Sequence, residues 1–136
     1  MRLAALPLLL AALPVGAADG VVVRDAWIRA APPGMDVLAG YATIENRGST
    51  PVVLVSAEST AFDTVELHEM TMLGGVMKMR MLERVEIAPA ASASLEPGAK
   101  HLMLRRPHRP VAPGDRIDVT LVDAAGARTI ATFEVK

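Results

Sequence analysis

Cysteine is absent from all 136 residues. That excludes disulfides, thiolate metal sites, iron–sulfur clusters, cysteine nucleophiles and blue-copper centres, whose copper is held by a thiolate. Aromatic residues are scarce, at 3%, so there is little with which to stack bases or sugars. Neither sign of charge dominates: 14 Lys and Arg stand against 15 Asp and Glu, a formal net charge of -1. Nucleic acid and anionic membrane both need a basic face, and this balance argues against either as a main partner. Internal repeats, linkers and low-complexity stretches are also missing. What remains is one domain's worth of chain with 51% hydrophobic and 21% charged residues, enough to bury a core. Methionine is plentiful, with 8 residues.

Residues 1–18 read as a targeting segment. Arg2 gives a minimal positive start, Leu3 to Leu13 is apolar but interrupted by Pro7, and Val15-Gly16-Ala17-Ala18 offers the small residues that a signal peptidase reads. The run is too short and too broken by proline to span a bilayer. The expectation is a cleavable secretory signal, a soluble exported domain over 19–136, a periplasmic location in a Gram-negative cell, and no stable membrane insertion after cleavage. With no cysteine after the cleavage site, lipid attachment there is not expected.

Beyond residue 20, short β-rich runs alternate with turn signals. The runs are Val21 to Ala30, Leu38 to Glu45, Pro51 to Ala57, Thr64 to Met72, Val76 to Ile87, Ala91 to Leu95, Lys100 to Leu104, Arg116 to Val122 and Arg128 to Val135. Pro-Gly, Asn-Arg-Gly-Ser, Gly-Gly and Asp-Ala-Ala-Gly punctuate them. The pattern predicts an all-β domain of about eight or nine strands, a sandwich or barrel.

The methionines are organised. Met70, Met72, Met77, Met79 and Met81 fall within twelve residues, and Met103 sits beside His101. With Gly74-Gly75 as a two-residue hairpin loop, Leu73 pairs with Val76, Met72 with Met77, Met70 with Met79, and His68 with Met81. Side chains alternate along a strand, so those His and Met side chains share one face, while Glu69, Thr71, Lys78 and Arg80 take the other. Directly opposed Cβ atoms lie about 5 Å apart and diagonal ones about 7–8 Å, which puts His68 and Met79 within reach of one ion. In His101-Leu102-Met103 the first and third side chains point the same way. Two imidazoles and one or two thioethers converge if that strand lies beside the hairpin.

Thioether sulfur is neutral and soft, and it selects Cu(I) over Zn, Mg, Ca or Mn; imidazole suits copper as well. Methionine is also an adaptable core filler, so packing or a sticky protein-contact face is the competing reading. Two of the chain's three histidines fall in register with the methionines, which favours metal. His108, between arginine and proline, reads as a solvated residue, Trp27 as a packing anchor, and Arg105, Arg106 and Arg109 as solvated surface. No local nucleophile–base pair or carboxylate pair suggests an enzyme.

His68, ten intervening residues, Met79, twenty-one more, then His101 and Met103 one residue apart: this spacing resembles the PCuAC family of periplasmic copper(I) chaperones, whose motif is His-x10-Met-x21-His-x-Met. Asp25-Ala26-Trp27-Ile28-Arg29, Gly40-Tyr41-Ala42-Thr43-Ile44-Glu45-Asn46, Val65-Glu66-Leu67-His68 and Pro97-Gly98-Ala99-Lys100-His101-Leu102-Met103-Leu104 also resemble the family. The resemblance implies a cupredoxin-like Greek-key β-sandwich and one Cu(I) per chain on His68, Met79, His101 and Met103. It further implies a metallochaperone without turnover, passing copper toward the dinuclear copper centre of cytochrome c oxidase subunit II, alongside Sco-type proteins. Some members carry a His/Met-rich tail for Cu(II); this sequence ends at Val135-Lys136 without one. Met70, opposite Met79, is the best alternate ligand. Met72, Met77 and Met81 are either a soft rim for capture or packing. Copper storage or tolerance, and a metal-free binding module with a Met-rich contact face, remain open as other roles.

Overall fold

A computed structural model describes residues 20–136, and the targeting segment expected over 1–18 lies outside them. Ten strands follow in order: β1 Val21–Ile28, β2 Val37–Asn46, β3 Val52–Glu58, β4 Phe62–Leu73, β5 Val76–Met81, β6 Val85–Ile87, β7 Ser92–Leu95, β8 Lys100–Pro107, β9 Arg116–Asp123 and β10 Arg128–Val135. The all-β expectation holds, and the fold is the cupredoxin-like sandwich. Among the described residues no helix is long and apolar enough to cross a membrane.

Hydrogen bonding runs β4-β8-β2-β1-β10-β9-β3, and a β3–β4 pairing at Ala57 and Val65 returns the path to its start. The sheet is thus rolled into a flattened barrel, with β5 attached to β4, β6 to β3 and β7 to β2. All pairings are antiparallel except β1 with β10, where Trp27 and Ile28 align with Glu134 and Val135. The inner face carries Ile28, Leu38, Ile44, Leu54, Phe62, Leu102, Leu104, Val119, Leu121, Phe133 and Val135, all buried. Each such side chain contributes about 1.5–3 kcal/mol on leaving water. Asn46, the buried polar residue at the end of β2, is satisfied. Its amide donates to the Thr50 and Ile87 carbonyls at 2.8 and 3.0 Å, and its side-chain oxygen accepts the Gly48 N–H.

Two features depart from the run pattern. The single run expected over Val76 to Ile87 is two strands, because the chain changes partner: Met81 pairs with His68 on β4, whereas Val85 pairs with Leu54 on β3. Leu82 makes the crossing, packing against the core while its N–H donates to the Leu67 carbonyl at 2.8 Å. In β1 the register slips between Arg24 and Trp27, where Asp25 has φ 52°. This bulge inserts one residue and swaps the faces. Val21 and Val23 pack on the core before it, Ala26 and Ile28 after it. Trp27 therefore turns to the outside, half-buried against Tyr41 with ring centroids 4.8 Å apart.

Candidate metal centre

The site forms on the outer face of β4 and β8. These strands are adjacent and antiparallel, with Leu67 opposite Leu102 and His68 opposite His101. Leu67, Leu102 and Leu104 point into the core, so strand alternation sends His68, His101 and Met103 outward. The two imidazoles lie 5.9 Å apart, centroid to centroid, with planes inclined by 29°. Though on the outer face, they are covered: His68 is 7% and His101 6% exposed, and Met103 is buried as well. Met103 stands between Glu66 of β4 and Ala39 of β2.

Each histidine has one nitrogen committed. His68 Nε2 lies 2.7 Å from a carboxylate oxygen of Glu66, two residues back on the same face. The other Glu66 oxygen lies 3.2 Å from Arg105 Nε. Chiefly through the His68 hydrogen bond, and with help from Arg105, the Glu66 carboxyl is held below its ordinary pKa despite partial burial. With the proton on Nε2, the lone pair of His68 is on Nδ1, which is buried and has no partner in the protein. Leaving such an atom unpaired costs about 1–3 kcal/mol, which points to a ligand. His101 Nδ1 lies 3.3 Å from the Ala99 carbonyl; donation there leaves its lone pair on Nε2.

The hairpin adds sulfur. Gly74 and Gly75 have φ of 57° and 80°, as a type I′ turn requires, and the register is the one expected, with Met72 on Met77, Met70 on Met79 and His68 on Met81. Met81, His68 and His101 thus form one row across three strands, and Met79 is one diagonal step from His68. Unlike the two histidines and Met103, Met79 is exposed and is separated from β8 by β4. His108 is elsewhere: just past the end of β8, seven residues from His101 and up to about 23 Å away at 3.3 Å per residue, exposed, against the Thr60 carbonyl and Asp63.

Among the described residues no three His, Asp or Glu side chains gather as a metal site. The neutral donors gathered here, two imidazoles and the Met103 thioether, fit a soft monovalent ion. Glu66 and Arg105 were missed as supports for His68. The signal was in the sequence, because Glu66 stands two residues from His68 and so shares its face. Arg105 was read as solvated surface, but its guanidinium is half-buried against that carboxylate.

The rolled sheet has the architecture of PCuAC domains. The apo form of DR1885 from Deinococcus radiodurans superposes with a TM-score of 0.67 at 28% identity, covering 100% of this chain and 92% of that one. Its Cu(I) form gives 0.69 at 27% identity, with coverages of 90% and 81%. The copper-bound PCuAC domain of PmoF2 shares the fold, with a TM-score of 0.70 at 19% identity over 86% and 92% of the two chains. In sequence, the chain belongs to the LpqE-like family, described as "Putative lipoprotein LpqE-like", whose profile matches residues 21–135. A curated relative from Leifsonia xyli subsp. xyli, "Putative lipoprotein Lxx21020", is 35% identical over 120 residues, which is 88% of this chain and 71% of the relative.

Proposed function

We propose that this chain is an exported copper(I) metallochaperone. It takes one Cu(I) on His68 Nδ1, His101 Nε2, Met79 and Met103 and passes it to an acceptor without catalytic turnover. The observation that carries the reading is the buried Nδ1 of His68, without a protein partner, on a ring whose centroid lies 5.9 Å from that of His101, with Met103 buried beside them. Neutral nitrogen and sulfur donors suit a monovalent soft ion, and the hydrogen bond that Nε2 donates to the Glu66 carboxylate is the kind that orients a ligating histidine. The solved Cu(I) form of DR1885 adds weight. His68, His101 and Met103 lie in the barrel wall, while Met79 rides on an exposed hairpin. An acceptor's donors can displace Met79 while the wall keeps its hold, which favours hand-off over storage. The acceptor that the PCuAC resemblance implies is the dinuclear copper centre of cytochrome c oxidase subunit II, with Sco-type proteins alongside.

Export to the periplasm rests on the leader-like residues 1–18, with 19–136 as the mature domain, and on the lipoprotein description of the relatives. None of these 136 residues is a cysteine that could carry a lipid. Anaerobic titration with Cu(I) against a competing chelator tests the ligand set. Met103→Leu and Met79→Leu are expected to weaken binding of this Cu(I), and unchanged affinity in both would remove sulfur from the proposal.

A further inference from the structure

The β4–β5 hairpin carries more sulfur than one ion needs. Met70, Met72 and Met77 are outside the four proposed ligands, yet they stand on the same face of the same ladder. Packing does not account for them. Met72 is 63% and Met77 47% exposed, Met70 is only half-buried, and none belongs to the buried core. The hairpin projects from the closed ring, since β5 pairs with β4 and with no other strand among the described residues. A contiguous exposed apolar row costs free energy in water and marks a place of binding or contact.

The turn fixes where the sulfurs go. Gly74 and Gly75 lock the register, so Met72 and Met77 oppose each other with Cβ atoms about 5 Å apart. Met70 is the next residue along the same face, about 7 Å from Met72. Thioether arms are long, unbranched and flexible, so three sulfurs can close on one ion above the sheet. The opposite face of the hairpin carries Thr71, whose hydroxyl donates to the Lys78 carbonyl, the Lys78 side chain, and Glu69 and Arg80, joined as an ion pair. Glu69 and Arg80 thus neutralise each other on the far side, and the near face of the tip, from Met70 to Met77, carries no carboxylate.

We infer that Met70, Met72 and Met77 form a second, all-thioether site for a soft monovalent d10 ion, Cu(I) or Ag(I), at the exposed tip of the hairpin. Neutral sulfur alone makes it weaker than a mixed imidazole–thioether site. It is a capture site, one step of the ladder from Met79, so an ion taken at the tip can move inward from sulfur to sulfur without returning to water. The tip site stands on the hairpin register alone; the inward step rests on the site proposed above.

Anaerobic titration of the full chain with Ag(I) and with Cu(I), against a weak competing ligand, tests it. Wild type is expected to bind a second, weaker equivalent. The double variant Met72→Leu/Met77→Leu keeps apolar bulk, and it should lose that equivalent, with affinity falling by about tenfold or more, while the tighter one is unchanged. Met103→Leu should do the reverse. Methionine Cε-methyl NMR shifts in wild type, followed during titration, should show Met72 and Met77 responding only to the second equivalent. A wild type that binds a single equivalent, or a double variant that still binds two, would overturn the inference. A double variant that loses the second equivalent while Met103→Leu changes nothing would support the tip site and remove the other one.

Discussion

Glu66 and His68 are two residues apart on the outer face of β4, and the carboxylate accepts the imidazole Nε2–H at 2.7 Å. The bond holds the ring in the tautomer whose lone pair is on the buried Nδ1. Glu66→Ala should therefore weaken Cu(I) binding by about 10–100-fold without changing its stoichiometry. Chelator competition measures this, and an unchanged affinity would mean that the carboxylate is idle.

Leu102 lies between His101 and Met103 but points the other way, into the core, with no exposed surface. Leu102→Ala should cost about 2–5 kcal/mol of stability, read as a lower urea midpoint. The number of copper ions bound should stay the same, because the ligands are on the opposite face.

Gly74 and Gly75 have positive φ, and an added Cβ would meet nothing within 4 Å at either position. The penalty for replacing them is therefore conformational, not steric contact. Val at either position costs about 1–2 kcal/mol in the left-handed region, and the hairpin absorbs it by changing its turn. The expected result is an intact barrel by amide NMR with weakened copper binding, as Met79 loses its place opposite Met70.

His108 is tied to Asp63 and to the Thr60 carbonyl, and the Asp63 hydrogen bond raises its pKa above the ordinary imidazole value. Arg106 also approaches Asp63, at 4.0 Å. A raised folded pKa means that the His108 contribution is fully present below the unfolded value and is lost as pH rises through the folded one. His108→Ala should thus lower stability in mildly acidic buffer and match wild type in alkaline buffer. Denaturation midpoints at the two pH values check the sign; a deficit confined to the alkaline side would contradict it.

Local order was legible in the residues and distant pairing was not. Gly-Gly between alternating runs defined the hairpin, and its register follows from the period of two. The thirty-two residues between His68 and His101 contain three strands and several turns, and no local pattern announces that β8 returns to lie against β4. The split of β5 from β6 and the bulge at Asp25 were hidden for the same reason. A change of partner strand and an inserted residue depend on neighbours far along the chain, and Val76 to Ile87 is β-rich on both sides of the crossing.

The ring is sealed by its latest arrival. β10 slots between β1 and β9, so until Arg128–Val135 is available both of those strands present bare backbone to water, and the cylinder cannot shut. Any shortened chain that stops before Arg128 keeps two sticky edges, whatever the state of the methionine hairpin. Closure of the ring therefore waits on the final eight-residue strand, which starts 60 positions after His68 and 25 after Met103.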